Sequence, residues 1–425
     1  MFTAICLVLF VGLTIWEFSI LFSGKKIWPL PYGDKKLMSL SNVEAFFIVL
    51  MATAYFGFMP VLALRLGILE LTCVIALYMC KNKLNWSFPL SCYTLFLIWI
   101  LIGICYSPSV SFGLRMLLKY LYPFIIALLA SKVVKDGELF ITSGIWSRRV
   151  ATIGIGLHIL PGFSLIISEI LWFNAAFCTS IITMVIFSLA LAEFSNEKRN
   201  NLIWGIALCI PCILLVYRTD IFGTAVAVAT LFLVKYKLKA LPLIGIIGLL
   251  GLLSMFYIPT VKHKMFINPE NVTISDFISG NVEEDNVRNN MRKFMWEDAS
   301  KTFYEGHEWI GSGSGRVQKF FYTEAMDSRR GGQLHNDFLV ILCDNGRIGL
   351  FLLIVVYFSA LIHCMIIYTK NQNPYVRMAA LTAGASMIGV AVTMYSDNTI
   401  SYSMVTLSFP WAFYGMALGL KGNLD

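Results

Sequence analysis

The residues best suited to chemistry stand in one run, His335-Asn336-Asp337-Phe338-Leu339-Val340-Ile341-Leu342-Cys343-Asp344-Asn345-Gly346-Arg347-Ile348-Gly349, where a polar stretch meets apolar sequence. Asn336 suits a helix N-cap, residues 338–342 would lie along an interface, and Gly346 would stop that short helix before the next span. His335 then sits at a helix N-terminus. There the dipole favours the neutral imidazole, the form in which a general base accepts a proton from a hydroxyl. The remaining histidines, His158, His263, His307 and His363, read as hydrogen-bonded interface residues.

Arginines form the second set. Arg288, Arg292 and Trp296 recur every four residues within a stretch of helical spacing from Asn286 to Glu305, so they are expected on one face. Two guanidinium groups beside an indole suit a ligand that carries both phosphate and sugar. The competing reading is a solvated amphipathic helix whose arginines pair with Glu297, Asp298 or the acidic run Glu283 to Asp285. Arg218 stands in a tight Arg218-Thr219 turn between two apolar segments, and Arg115 and Lys119 lie four apart near the end of another. Gly311-Ser312-Gly313-Ser314-Gly315 has the look of a phosphate-cradling loop. No Lys-Ser or Lys-Thr follows it, however, and it fits neither a dinucleotide fingerprint nor a serine nucleophile elbow, so alone it reads as a flexible turn. The ten cysteines sit in or beside apolar segments and the polar stretch 259–334 contains none. Neither a disulfide framework nor a metal site is suggested.

These side chains must be positioned by membrane helices. Of 425 residues, 58% are hydrophobic and only 14% charged, against roughly 25% charged in soluble domains. Apolar runs long enough to cross a hydrocarbon core recur at 2–22, 43–63, 66–81, 90–106, 112–131, 150–167, 172–193, 201–217, 220–236, 240–258, 348–368, 377–395 and 401–420. That makes thirteen, or twelve if 43–81, interrupted by Pro60 and Arg65, holds one span. Short segments of alternating polarity, the mark of a membrane β-barrel, are absent, so the expected class is an all-α integral membrane protein. The first segment has no basic residue before it and no small-residue cleavage site after it, and reads as a retained helix.

Basic residues set the orientation. Lys25, Lys26, Lys35 and Lys36, then Lys81 and Lys83, Lys132 to Arg149, Lys198 and Arg199, and Lys235 to Lys239 fall in alternate loops, which places those loops in the cytoplasm. Counting onward puts 259–347 outside as one large, partly helical loop, between a transmembrane bundle at 1–258 and the last helices at 348–425. Arg65, Arg115, Lys119 and Arg218 fall on the outer side, against the usual charge bias. Each alone could snorkel to the interface, but several together suggest a task.

The spacing of the run resembles a known signature. His335-Asn336 is followed by nine residues and then by Gly346 and Gly349, which is similar to the signature of the O-antigen ligase and Wzy-type polymerase superfamily of membrane glycosyltransferases. Arg292 with Trp296, then Gly311 and Gly313 ahead of the His-Asn pair, is similar to the family's Arg-x-x-x-Trp and Gly-x-Gly arrangement, and Arg218 at an outer turn also fits. The resemblance covers mainly residues 200–368. It implies metal-independent, inverting glycosyl transfer without a cofactor, at the outer face of a bacterial cytoplasmic membrane. The implied donor is an undecaprenyl-diphosphate-linked glycan, and the acceptor a saccharide on lipid A core or on a growing polysaccharide. A lipid bilayer is the implied surrounding, and no nucleic acid is expected.

Under that resemblance His335 is the general base, and Arg218 and Arg292 bind the diphosphate and offset the charge that grows on it. Arg288, Arg115 and Lys119 are further candidates for the same anion, with Asn336 and Trp296 as substrate contacts. Trp296, Tyr304, Phe320, Phe321 and Tyr322 could stack on sugar rings, although aromatic residues near an interface commonly just anchor a protein. The competing class is a flippase or transporter of an anionic substrate. That class should show ionisable residues deep within spans, for which Glu17 and Glu70 are the nearest candidates.

Overall fold

A computed structural model describes residues 2–23, 26–29, 37–58, 61–159, 175–194, 197–214, 216–282, 286–288, 292–324 and 333–423. The chain is all-α, with one two-stranded antiparallel ribbon among the described residues, β1 (Lys26–Pro29) and β2 (Leu37–Leu40), which pairs Lys26 with Leu40 and Pro29 with Leu37. Among the described residues, ten helices precede the large polar loop: α1 (Phe2–Phe22), α2 (Asn42–Thr53), α3 (Leu62–Met79), α4 (Phe88–Cys105), α5 (Val110–Val133), α6 (Gly137–Ile159), α7 (Ala175–Phe194), α8 (Lys198–Leu214), α9 (Arg218–Tyr236) and α10 (Leu241–Tyr257). The loop carries α11 (Pro259–Met265), α12 (Ile274–Ile278), α13 (Arg292–Ala299) and α14 (Arg316–Lys319), and the chain closes with α15 (Asp337–Lys370), α16 (Pro374–Ser396) and α17 (Ser408–Lys421). Among the described residues, seven segments are long and apolar enough to cross a membrane, one of them the continuous stretch Arg218–Tyr257 that holds α9 and α10.

The core is built around α17, which is buried along nearly its whole length. It lies close against α5. A β-carbon on Gly415 would come within 2.2 Å of the Ala127 carbonyl oxygen, and one on Gly419 within 2.2 Å of that of Val134. Small residues four apart permit this approach, which apolar packing in lipid otherwise cannot achieve. Helix α16 packs between α9, α15 and α17. The far end of the bundle is rich in lysine and is tied by side chains from separate turns: Asn85 Nδ2 donates to the Leu418 carbonyl at 3.0 Å, and Lys135 Nζ to that of Lys83 at 3.2 Å. The opposite end carries the polar loop.

Three local expectations change. The run 43–63 gives only the 12-residue α2, about 18 Å of helix at 1.5 Å per residue and too short for a crossing. Residues 137–149, expected within a loop, form the first part of α6, started by Asp136, whose carboxylate accepts from the Leu139 N–H at 2.7 Å. Lastly, the helix expected from Asn286 begins at Arg292; Val287 instead bridges Phe266 in extended conformation, with the Arg288 N–H donating to the Met265 carbonyl at 2.9 Å. The spacing of Arg288 therefore matched a helix that starts four residues later. The acidic run 283–285 lies outside the described residues.

Candidate active site

Helix α15 breaks at Gly346, at φ 67° and ψ −171°, so a short helix from Asp337 meets the long span at a kink, as the sequence suggested. The break frees backbone groups, and the glycine loop supplies their partners. Arg347 and Ile348 donate to the Glu308 and Trp309 carbonyls at 2.8 and 3.2 Å, while Ser312 and Gly313 donate to the Cys343 and Asp344 carbonyls at 2.9 Å each. A β-carbon at Gly346 would lie 2.2 Å from the Trp309 carbonyl oxygen, so only glycine lets the two backbones cross here. The loop does cradle a carboxyl group, but from its own chain. The Asp344 carboxylate accepts from the Gly315 N–H at 2.8 Å and the Val317 N–H at 2.9 Å. The Gly311–Gly315 turn is thus a buried brace rather than a free flexible turn.

The brace fixes the start of α15, where three consecutive side chains make three different attachments. Asn336 Oδ1 caps the helix by accepting from the Leu339 N–H at 2.9 Å. Asp337 Oδ2 accepts from the Ile400 N–H at 2.9 Å and so joins the helix to the turn after α16. His335 points to that same turn: its N–H donates to Asn398 Oδ1 at 2.9 Å, and its Nδ1 lies 3.2 Å from Asp397 Oδ1 and 2.9 Å from Asn398 Nδ2. These contacts hold His335 at φ 54°, in the left-handed region that a β-carbon disfavours. Protonated at Nδ1, the ring donates to Asp397 and leaves Nε2 free to accept; otherwise Nδ1 accepts from Asn398. The side chain is 37% exposed, so its outer nitrogen is reachable.

His335 opens onto a cavity of about 930 Å³, near the upper end of the range for small-molecule sites. Arg218, Arg288, Arg292, Lys264 and Lys293 bring five cations to its lining, with Trp296, Asp220 and Asp397. Arg218 begins α9 and is steered by the loop, its Nη1 donating to the Arg288 carbonyl at 3.0 Å. Arg292 begins α13, and its buried Nε has no hydrogen-bond partner. Burial pushes that guanidinium down from its ordinary value, with Asp397 acting the other way. The Trp296 indole donates to the Leu334 carbonyl at 2.8 Å and meets Tyr395 edge-on at 5.6 Å. Trp296 thus locks the loop to the residue before His335 as well as walling the cavity. An unpartnered guanidinium donor beside further cations and an oriented imidazole is an arrangement for an anionic ligand whose neighbouring hydroxyl is to lose a proton.

His335, Arg218, Arg292, Arg288 and Trp296 are therefore brought together. Asn336 is committed to its cap. Arg115 and Lys119 line a different cavity, with Tyr322. Tyr304 accepts from Arg347 Nε at 2.8 Å, and Phe321 is buried in the core. Asp397, Asn398, Asp220, Lys264 and Lys293 were missed. For Asp397 and Asn398 a signal existed, an acid and an amide in the short turn between the last two spans, on the side assigned to the large loop. Asp220 is buried two residues past Arg218, where Thr179 donates to its Oδ1 at 2.5 Å and its Oδ2 has no partner.

Fold and cavity define a multi-span helical membrane protein with a cationic, histidine-bearing site braced at one end. Residues 204–354 match the family model described as O-antigen ligase. The matched segment is similar to that domain over about a third of the chain and contains Arg218, Arg288, Arg292, Trp296 and His335. No curated protein matches the chain.

Proposed function

We propose that the protein is a membrane glycosyltransferase that moves a glycan from a lipid diphosphate, of the undecaprenyl type, to a hydroxyl of a saccharide acceptor. The observation that carries this reading is the convergence of His335, Asp397, Arg218 and Arg292 on one cavity. Asp397 accepts a hydrogen bond from the Nδ1 N–H and sets the ring so that Nε2 faces the acceptor hydroxyl. As Nε2 takes the hydroxyl proton, the acceptor oxygen bonds to the anomeric carbon and the bond from that carbon to the diphosphate oxygen breaks. The bonding pair leaves on the diphosphate, and displacement in one step inverts the anomeric centre. Arg218 and Arg292 meet the negative charge that grows there, with Arg288 beside them. Such preorganised donors commonly supply the largest share of rate enhancement. The arginines supply this compensation without a metal ion in the scheme. Trp296 offers the sugar an apolar face. The site would then face the outside of the cytoplasmic membrane, where lipid-linked glycans are displayed.

The test is a strain lacking the gene and complemented with His335→Ala, with membrane expression checked, surface polysaccharide followed by gel and lipid-linked intermediates extracted. Loss of product with accumulated lipid-linked donor is expected. Product at the wild-type level would remove His335 as the base. The length of the accumulated donor separates the two activities of the superfamily, since a ligase transfers finished chains and a polymerase joins repeat units.

A further inference from the structure

A second cavity, of about 560 Å³, opens between α3, α5 and the turn that follows α16. Arg115 and Lys119 line it from one face of α5, and Lys119 lies nine residues past Val110, about 14 Å along the helix from its start. Neither cation makes an ion pair among the described residues. Arg115 lies over the Phe112 ring at 4.9 Å, and Lys119 feels the buried Asp337 only through space. Two like charges one helical turn apart repel each other, and apolar surroundings raise the cost of leaving them uncompensated. Two further groups on the lining are also incomplete: Gln318 Oε1 and Ser403 Oγ are buried without hydrogen-bond partners. The opposite wall is apolar, formed by Leu62, Leu64 and Leu66, with Leu64 55% exposed on the bundle exterior. A smaller pocket shares Gln318 and Ser401 with this cavity and reaches Leu334 and Asn398, the residues that flank and hold His335.

We propose that this cavity binds the phosphate of a second membrane lipid, distinct from the diphosphate held by Arg218 and Arg292. Arg115 and Lys119 bind the phosphate oxygens, Gln318 and Ser403 take polar groups beside it, and the leucine wall of α3 receives the chain. If the transfer reading holds, this lipid is the acceptor, which would place the two substrates on separate cavities that meet at His335.

The test uses the full chain in nanodiscs and native mass spectrometry, with dihexanoyl phosphatidic acid, dihexanoylglycerol and inorganic phosphate as probes. The wild-type protein is expected to hold two molecules of the phosphatidic acid. The R115Q/K119Q variant should lose one of them through an affinity drop of about 10–100-fold, and R218Q/R292Q the other. The molecule retained in each variant shows that the protein is folded, and K119R should restore most of the affinity lost on removing Lys119. Unchanged binding to R115Q/K119Q would overturn the proposal, as would equal occupancy by dihexanoylglycerol or equal displacement by inorganic phosphate at the same concentration. The outcome is independent of His335: an active His335→Ala protein would remove His335 as the base and leave this site standing, whereas normal lipid binding by R115Q/K119Q would remove this site alone.

Discussion

His335 is held in a conformation that costs about 1–3 kcal/mol for a residue with a β-carbon, and the hydrogen bond from its N–H to Asn398, with the Asn336 cap beside it, keeps it there. Strain maintained at a reachable imidazole indicates that the orientation of the ring matters. Asp397→Asn should lower the transfer rate by on the order of 10²–10⁴-fold, because the neutral amide does not stabilise the imidazolium and its N–H can donate to Nδ1, which leaves the proton on Nε2; initial rates with KM unchanged would confirm it. Arg292→Lys keeps the charge but not the fork, and should cost about 1.5–3 kcal/mol in kcat/KM, with Arg292→Gln costing more. Equal rates for Arg292→Lys and wild type would show that a point charge suffices. At this scale spacing and position in the sequence pointed to His335, Arg218 and Arg292, which share one cavity. It did not disclose Asp397, which is 62 residues from its partner, because contact across that interval is created only by the packing of α15 against α16. Nor could spacing separate Arg115 and Lys119 from the other cations, since outer-side placement is shared by both cavities.

Elements fix these side chains through backbone accounting. The kink at Gly346, the loop carbonyls of Glu308 and Trp309, and the Asp344 carboxylate form one buried unit in which each freed group has a partner. Asp344→Asn leaves one of the two buried N–H donors without an acceptor, so a loss of about 1–3 kcal/mol is expected in thermal unfolding. Gly346→Ala should be worse, since the β-carbon meets the Trp309 carbonyl and the φ of 67° adds strain. Wild-type melting for both variants would mean that the brace is dispensable. Long apolar runs made most helices legible, because lipid demands internal hydrogen bonding over a fixed thickness. The polar loop was less legible. Arg288, at helical spacing from Arg292, is extended, and a glycine-serine stretch that reads as flexible is fixed by an acid outside it in sequence.

At the scale of the molecule, the lysine-rich end, where Lys135 meets Lys83, and the site end, where Ser314 meets Gly103, lie at opposite ends of α4. The N-terminal helices are pinned by a buried cluster: Arg65 Nη2 donates to Glu17 Oε1 at 2.6 Å, and Thr53 Oγ1 to the same oxygen at 2.6 Å, joining α1, α2 and α3. Glu17, a candidate for a transport pathway, is thereby accounted for as a structural partner, and Arg65 is fully buried rather than offered to an outer anion. Glu70 is buried with its Oε1 unpartnered. Arg65→Leu should destabilise the protein by about 3–5 kcal/mol, because it leaves a buried lone carboxylate, and the double change with Glu17→Leu should recover much of that loss. Additive losses in thermal unfolding would show that the two residues act separately.

The central claim is that the cavity between His335 and the arginines is where the glycan is transferred. It is tested most directly with the reconstituted full chain and an extracted lipid-diphosphate-linked glycan, by measuring donor binding and product formation on the same samples of wild type and His335→Asn. Asparagine tolerates the left-handed backbone and removes the base. Donor binding close to wild type with product formation reduced on the order of 10²-fold or more is the predicted result. Product formed at the wild-type rate by His335→Asn would contradict it.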